Sequence, residues 1–295
     1  MLFEKNFILE KIEVKQNIVI NFRHNDNYGK KPLLLLHGFP QTHVMWHHIA
    51  NELNLNYHII CPDLRGYGDS SKPNMDDPTH SLYSKKSMSE DMICLMKHLG
   101  YDKFYVAGHD RGARVLHRML KDYPSMIEKA CVLDIVPTYY MFKKTDKNFS
   151  TGYYHWYFLI QPNDLPENMI CSNPKYYLME KLFRWSSNNS TFEKEAVDEY
   201  IRCFQTYEDI HAKCEDYRAA ASIDLEHDEK DLSKKIKTPL LVLWGSEGFI
   251  DKTYDVLEVW SEFATNIQGK TIDCGHFIAE ESPEKLIKEF KLFFD

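Results

Sequence analysis

The chain has 295 residues, of which 43% are hydrophobic and 27% charged, a balance that excludes a disordered or fibrous protein and supplies material for a sizeable core. Its net charge of −8 works against polyanion binding. No Lys/Arg block is long enough for a nucleic-acid patch, since Lys143-Lys144 and Lys234-Lys235 read as solvated faces.

The first residues, Met1-Leu2-Phe3-Glu4-Lys5-Asn6, include an acid and lack an apolar segment with a small-residue cleavage site, so a cytoplasmic protein is expected. Apolar runs such as 33–36 are too short to cross a bilayer, and no membrane association is expected. The seven cysteines are scattered and form no Cys-x-x-Cys pair; they read as reduced thiols, and no metal site is expected from them.

In chain order, alternating apolar positions at Ile12/Val14 and Ile18/Ile20/Phe22, broken at Lys15-Gln16-Asn17, predict an antiparallel hairpin. The rhythm then changes to short continuous apolar runs at 33–36, 59–61, 104–107, 131–133 and 240–244. Helical-period segments separate most of them, which predicts a mostly parallel sheet with helices on both faces. Before the third run, Ser87-x-x-Glu90 offers a capping box, Met88, Met92, Leu95, Met96 and Leu99 form one apolar stripe, and Gly100 can end the helix. From about Thr138 to His227 the strand-like runs vanish and the pattern turns aromatic, polar and helical. That pattern predicts a helical cap, with a core domain split into 1–137 and 228–295 around an insertion at 138–227. A last helix starts at Ser282-Pro283 and buries Leu286, Phe290 and Phe293.

The segment Phe104-Tyr105-Val106-Ala107-Gly108-His109-Asp110-Arg111-Gly112-Ala113-Arg114 places small-x-acid-x-small between a strand and a helix. This is the pattern of the strained strand-to-helix turn that exposes the nucleophile of an α/β-hydrolase, with Asp110 where Ser usually stands. A carboxylate is ionised at neutral pH and can attack without prior deprotonation. The turn aims the backbone N–H of Arg111 at the reacting group, and the loop His37-Gly38-Phe39-Pro40 offers the backbone N–H of Phe39 as a second oxyanion donor.

The base is read from Asp273-Cys274-Gly275-His276-Phe277, because this fold delivers its histidine last in the order nucleophile, acid, His. Two residues compete as the orienting acid. Asp134 ends the run 131–133, whereas Asp251 follows the run 240–244; Gly248 stands where related enzymes carry the acid, which favours Asp134 and keeps Asp251 as the alternative.

Taken together, His37-Gly38-Phe39-Pro40-Gln41, the segment 108–114, Asp134-Ile135-Val136-Pro137-Thr138, His155-Trp156-Tyr157-Phe158, Asp216-Tyr217-Arg218-Ala219 and Gly275-His276-Phe277 resemble the haloacetate (fluoroacetate) dehalogenases. The resemblance implies hydrolysis of a small anionic 2-haloacid to the 2-hydroxyacid and halide through an aspartyl ester, with no cofactor or metal. By that resemblance Asp110 is the nucleophile, His276 the base and Asp134 its partner. Arg111 and Arg114 would bind the substrate carboxylate, and His155, Trp156 and Tyr217 would donate hydrogen bonds to the departing halide. A homodimer is also implied.

Epoxide hydrolases share an Asp nucleophile and a His-Gly-x-Pro motif, but typically carry Trp after the nucleophile and two cap tyrosines. Here Arg111 replaces the Trp and His155 stands where the first Tyr is expected, leaving Tyr217 as the second. A non-catalytic ligand-binding homologue is the third reading; it fits poorly with a full set of nucleophile, base and acid.

Overall fold

The computed structural model describes residues 2–73, 77–188 and 191–295. Eight strands form one sheet: β1 (Phe7–Lys15), β2 (Ile18–Asn25), β3 (Lys31–Leu36), β4 (Tyr57–Pro62), β5 (Phe104–His109), β6 (Ile127–Leu133), β7 (Leu240–Gly245) and β8 (Ile267–Ile272). Their spatial order is β1-β2-β4-β3-β5-β6-β7-β8. β1 pairs antiparallel with β2 and β2 with β4; every other pairing is parallel. All five apolar runs lie on central strands, where both faces are covered and continuous hydrophobicity is required. The amphipathic β8, Ile-Gln-Gly-Lys-Thr-Ile, alternates because it is an edge strand with one wet face.

The helices that cover the sheet are α1 (His47–Leu53), α2 (Lys85–His98) and α3 (Arg111–Asp122) in the first part of the chain. Between β6 and β7 lie the helices α4 (Thr138–Lys143), α5 (Lys147–Gly152), α6 (His155–Phe158), α7 (Leu165–Cys171), α8 (Pro174–Trp185), α9 (Lys194–Arg202), α10 (Tyr207–Ala221) and α11 (Ile223–Lys230), followed by an isolated bridge from Ile236 to Ala264. The chain closes with α12 (Phe249–Thr253), α13 (Val256–Phe263), α14 (Ile278–Glu281) and α15 (Pro283–Phe294). Among the described residues no helix is long and apolar enough to cross a membrane.

Two local expectations shift by a few residues. α2 begins three residues before the expected cap, because the side chain of Ser84 accepts the Ser87 N–H at 3.1 Å. Glu90, freed from a capping box, pairs with Lys15 on β1 instead. In α15, Leu286 and Phe290 are buried as expected, but Phe294 rather than Phe293 completes the buried stripe. The predicted cap would have placed its hydroxyl one turn too deep to reach an unsatisfied N–H. Ser84→Ala should therefore cost about 1 kcal/mol of stability and Ser87→Ala less, as read from urea unfolding midpoints.

Candidate active site

The carboxyl ends of β3, β5, β6 and β8 converge, and each hands its chain to a loop carrying one polar group. Leu36 on β3 pairs with Gly108 on β5, and His109 pairs with Leu133 on β6. Asp110 and Asp134 therefore stand one residue beyond paired positions on adjacent strands, at the edge where open α/β sheets bind ligands.

Asp110 has φ 43°, a left-handed region that non-glycine residues rarely occupy. The neighbours make this turn possible. A Cβ at Gly112 would lie 2.4 Å from the carbonyl oxygens of both Leu36 and His37, and one at Gly108 would lie 2.7 Å from the Gly112 carbonyl. Helix α3 can thus start against the end of β3 only if both positions lack a side chain. Asp110 is 7% exposed, and its Oδ2 accepts the Phe39 N–H at 3.0 Å. His37, next to that loop, accepts the Leu64 N–H on Nε2 and faces the Gly38 carbonyl with Nδ1. Burial holds His37 neutral, with its pKa lowered to about 4, and its two ring contacts anchor the start of this loop.

His276 Nδ1 lies 2.5 Å from Asp134 Oδ2, and Asp134 Oδ1 accepts the Gly245 N–H at 3.0 Å. Asp134 itself has φ 54°. Its carboxylate fills the space beside Gly248, where an added Cβ would sit 3.5 Å from Oδ1. The acid is thus supplied from the end of β6 into the space beside position 248 on the loop after β7. Asp251, the alternative, accepts the Trp244 indole N–H at 2.7 Å and takes no part in this pair. Burial disfavours the charged imidazole of His276, but the bond to Asp134 and the fields of Asp134 and Asp110 outweigh it and raise its pKa. Burial also opposes the charge on Asp110; His276, Arg114 and Arg111 overcome this and hold its pKa below the usual carboxylate value.

The loop of His276 is fastened from several directions. Its backbone N–H donates to the Trp185 carbonyl at the end of α8. Its carbonyl meets His109 Nε2 at 2.8 Å, and Glu281 accepts the N–H groups of Gly275 and Phe277. A cavity of about 210 Å³ between Tyr153, Trp185, Gly248 and Phe249 reaches His276.

Both arginines are buried, and their donors are divided. Arg111 forms a fork with Asp216 of α10, Nε to Oδ2 at 2.8 Å and Nη2 to Oδ1 at 2.7 Å, and Nη2 also meets the Asp216 carbonyl. Arg114 donates through Nη1 to the Val136 carbonyl and Thr138 Oγ1 and through Nη2 to Met141 Sδ at 3.3 Å. What remains is Arg111 Nη1 and Arg114 Nε, each buried without a hydrogen-bond partner. Arg111 lies 4.2 Å over the Tyr217 ring and Arg114 4.7 Å over the Trp156 ring. His155 packs against Phe39, Trp185 and Tyr217. Burial and the cations Lys181, Arg111 and Arg114 push its pKa well below the ordinary value, and its Nδ1 is buried without a partner.

These contacts link Phe39 to Asp110, His155 and Tyr217, Tyr217 to Arg111 and Trp156, Trp156 to Arg114, and His276 to Asp134; of these residues only His276 lines the cavity. Sequence reasoning gave no role to Asp216, His109 or Trp185. Asp216 lay inside a recognised motif, but its partners Arg111, Lys85 and Tyr67 come from remote parts of the chain. Arg111 and Lys85 hold the Asp216 carboxyl below the usual range despite its burial. Removing it by Asp216→Ala strands two buried cations, so unfolding in urea should show a loss of about 3–5 kcal/mol.

A family model described as alpha/beta hydrolase fold matches residues 31–283. A fluoroacetate dehalogenase from Burkholderia sp is 40% identical over 88% of this chain and 86% of its own. A soluble epoxide hydrolase from Corynebacterium sp. (strain C12) is 32% identical over 89% of this chain and 90% of its own. Among solved structures, a protein from Nostoc sp PCC 7120 assigned to the alpha/beta hydrolases superposes with TM-score 0.96 at 50% identity, covering 100% of this chain and 99% of that one. The chain is a hydrolase of the α/β-hydrolase fold. Within that fold it belongs to the haloacetate dehalogenase family.

Proposed function

We propose that the protein hydrolyses a short 2-haloacid, such as fluoroacetate or chloroacetate, to the 2-hydroxyacid and halide through an ester on Asp110. The observation that carries this reading is the pair of unsatisfied guanidinium N–H groups, Arg111 Nη1 and Arg114 Nε, beside an ionised carboxylate. A buried N–H without a partner costs free energy, and an anionic substrate removes that cost while overcoming its repulsion from Asp110. A neutral epoxide brings a single uncharged acceptor oxygen, which cannot satisfy two guanidinium groups or offset their charge. The 40% identity to a fluoroacetate dehalogenase supports the same reading.

In the first step Asp110 attacks the α-carbon, the C–O bond forms as the carbon–halogen bond breaks, and the electron pair leaves with the halide. Charge then develops on the halide, and the indole N–H of Trp156, the phenol of Tyr217 and a neutral His155 are hydrogen-bond donors for it. Keeping His155 neutral leaves it one ring N–H without adding a cation to the site. In the second step His276 takes a proton from water, which attacks the ester carbonyl of Asp110. The oxyanion then meets the N–H groups of Phe39 and Arg111; on collapse the acyl C–O bond breaks, His276 returns its proton to the departing oxygen to release the hydroxyacid, and the proton left on the regenerated Asp110 carboxyl passes to solvent. Asp134 holds the imidazole orientation and stabilises its charged form. The insertion at 138–227, acting as a cap, brings His155, Trp156, Tyr217 and Asp216 onto the core.

Halide release from fluoroacetate and chloroacetate, run beside a diol assay with a simple epoxide, tests the assignment. Haloacid turnover without diol formation is expected; diol formation alone overturns it in favour of the epoxide hydrolase reading. Asp110→Asn should lower halide release at least about a thousandfold.

The pH profile has a defined sign. His276 works as a base on the Asp110 ester and is active when neutral; Asp134, whose hydrogen bond and charge raise its pKa most, remains charged at that step, so turnover should fall on acidification from above the ordinary histidine value of about 6.5. Asp110, with its pKa lowered, stays ionised through that range and adds no limb. Measured kcat against pH checks this: an acid limb below the ordinary histidine value would contradict it.

A further inference from the structure

Away from the site just described, His47 and His48 open helix α1 and face Glu193, which precedes α9 of the inserted segment. Their Nε2 atoms lie 3.5 and 3.6 Å from Glu193 Oε1, and the three ligand atoms all fall within 4.8 Å of one another. Those separations are long for hydrogen bonds. They match the edge of a tetrahedron around a metal ion: with bonds of about 2.0–2.2 Å to nitrogen and oxygen, zinc ligands stand about 3.4 Å apart.

The His47 ring is prepared for such a role. It is 2% exposed, and its Nδ1 donates to the Val44 carbonyl at 2.9 Å. A backbone carbonyl on one ring nitrogen fixes the tautomer that leaves a lone pair on the other, the usual support of a metal-bound histidine. His47 Nε2, so exposed as an acceptor, is buried and has no hydrogen-bond partner. Glu193 makes no side-chain bond to the start of α9, so its carboxylate is not committed there. We propose that His47, His48 and Glu193 form a two-histidine, one-carboxylate site for a divalent cation of the zinc type, with a fourth position left to water.

A second cluster, Asp164, Glu167 and His211, lacks these features. Glu167 already accepts both terminal nitrogens of Arg218 as well as His211, and a cation there would have to displace an existing one. A metal at the first cluster would join α1 of the core to α9. Tyr200 of α9 in turn donates to Glu280, four residues after His276.

Titration of the purified, metal-stripped full chain with zinc chloride, followed by calorimetry and by the unfolding temperature, tests the site; cobalt chloride adds a visible absorption that reports tetrahedral geometry. Wild type should bind one ion per chain with a rise in unfolding temperature. Glu193→Gln and His48→Ala, both at partly exposed positions, should each weaken binding about tenfold or more. His211→Ala should leave it unchanged. Failure of wild type to bind either metal overturns the proposal. So does binding that survives Glu193→Gln and His48→Ala undiminished, or that is lost in His211→Ala.

Discussion

The backbone at Asp110 is held at φ 43°, a conformation that costs of order 1–3 kcal/mol and persists only where the surroundings impose it. Here the imposition is steric and complete. A side chain at Gly112 would run into the end of β3, and one at Gly108 into the first turn of α3. At the tip of the turn the Asp110 carboxylate faces the Phe39 amide. Everything else in the site is arranged around that fixed point: the loop after β3 supplies the amide, β6 the acid that orients His276, and α3 the two guanidinium groups.

The cations are where binding and stability meet. Arg111 is fully buried and would be very costly alone; Asp216 forks onto it, and Lys85 and Tyr67 complete the network on the far side of Asp216. The same network crosses from the core helices α2 and α3 to α10 of the insertion. It fixes the aspect of the guanidinium and leaves Nη1 unsatisfied. One set of ion pairs thus both holds α10 against α2 and α3 and sets the position of the Arg111 guanidinium, so a change at Asp216 is felt in both.

Much of this was legible in the chain, for physical reasons that vary with range. Short apolar runs gave all five central strands because a strand buried on both faces has no choice of composition. The turn at Asp110 was legible because its steric demands fall within five consecutive residues. Asp134 was separable from Asp251 because Gly248 removes the competing position. The start of α2 was missed because Ser84 and Ser87 both satisfy local capping chemistry, and only the Ser87 N–H bonded to Ser84 distinguishes them. Phe293 and Phe294 were exchanged because adjacent aromatics at a helix end leave the phase of the stripe open. Asp216 as the partner of Arg111, and the pair of His47 and Glu193, have no local signature, since each joins segments more than a hundred residues apart.

The central claim is that the product hydroxyl oxygen comes from Asp110 and not directly from water. A single turnover in heavy-oxygen water, with enzyme in excess over a haloacid, separates the two routes by mass spectrometry of the product and of the peptide containing Asp110. The account predicts an unlabelled hydroxyacid and label in the Asp110 carboxylate. A labelled hydroxyacid with an unlabelled Asp110 would contradict it.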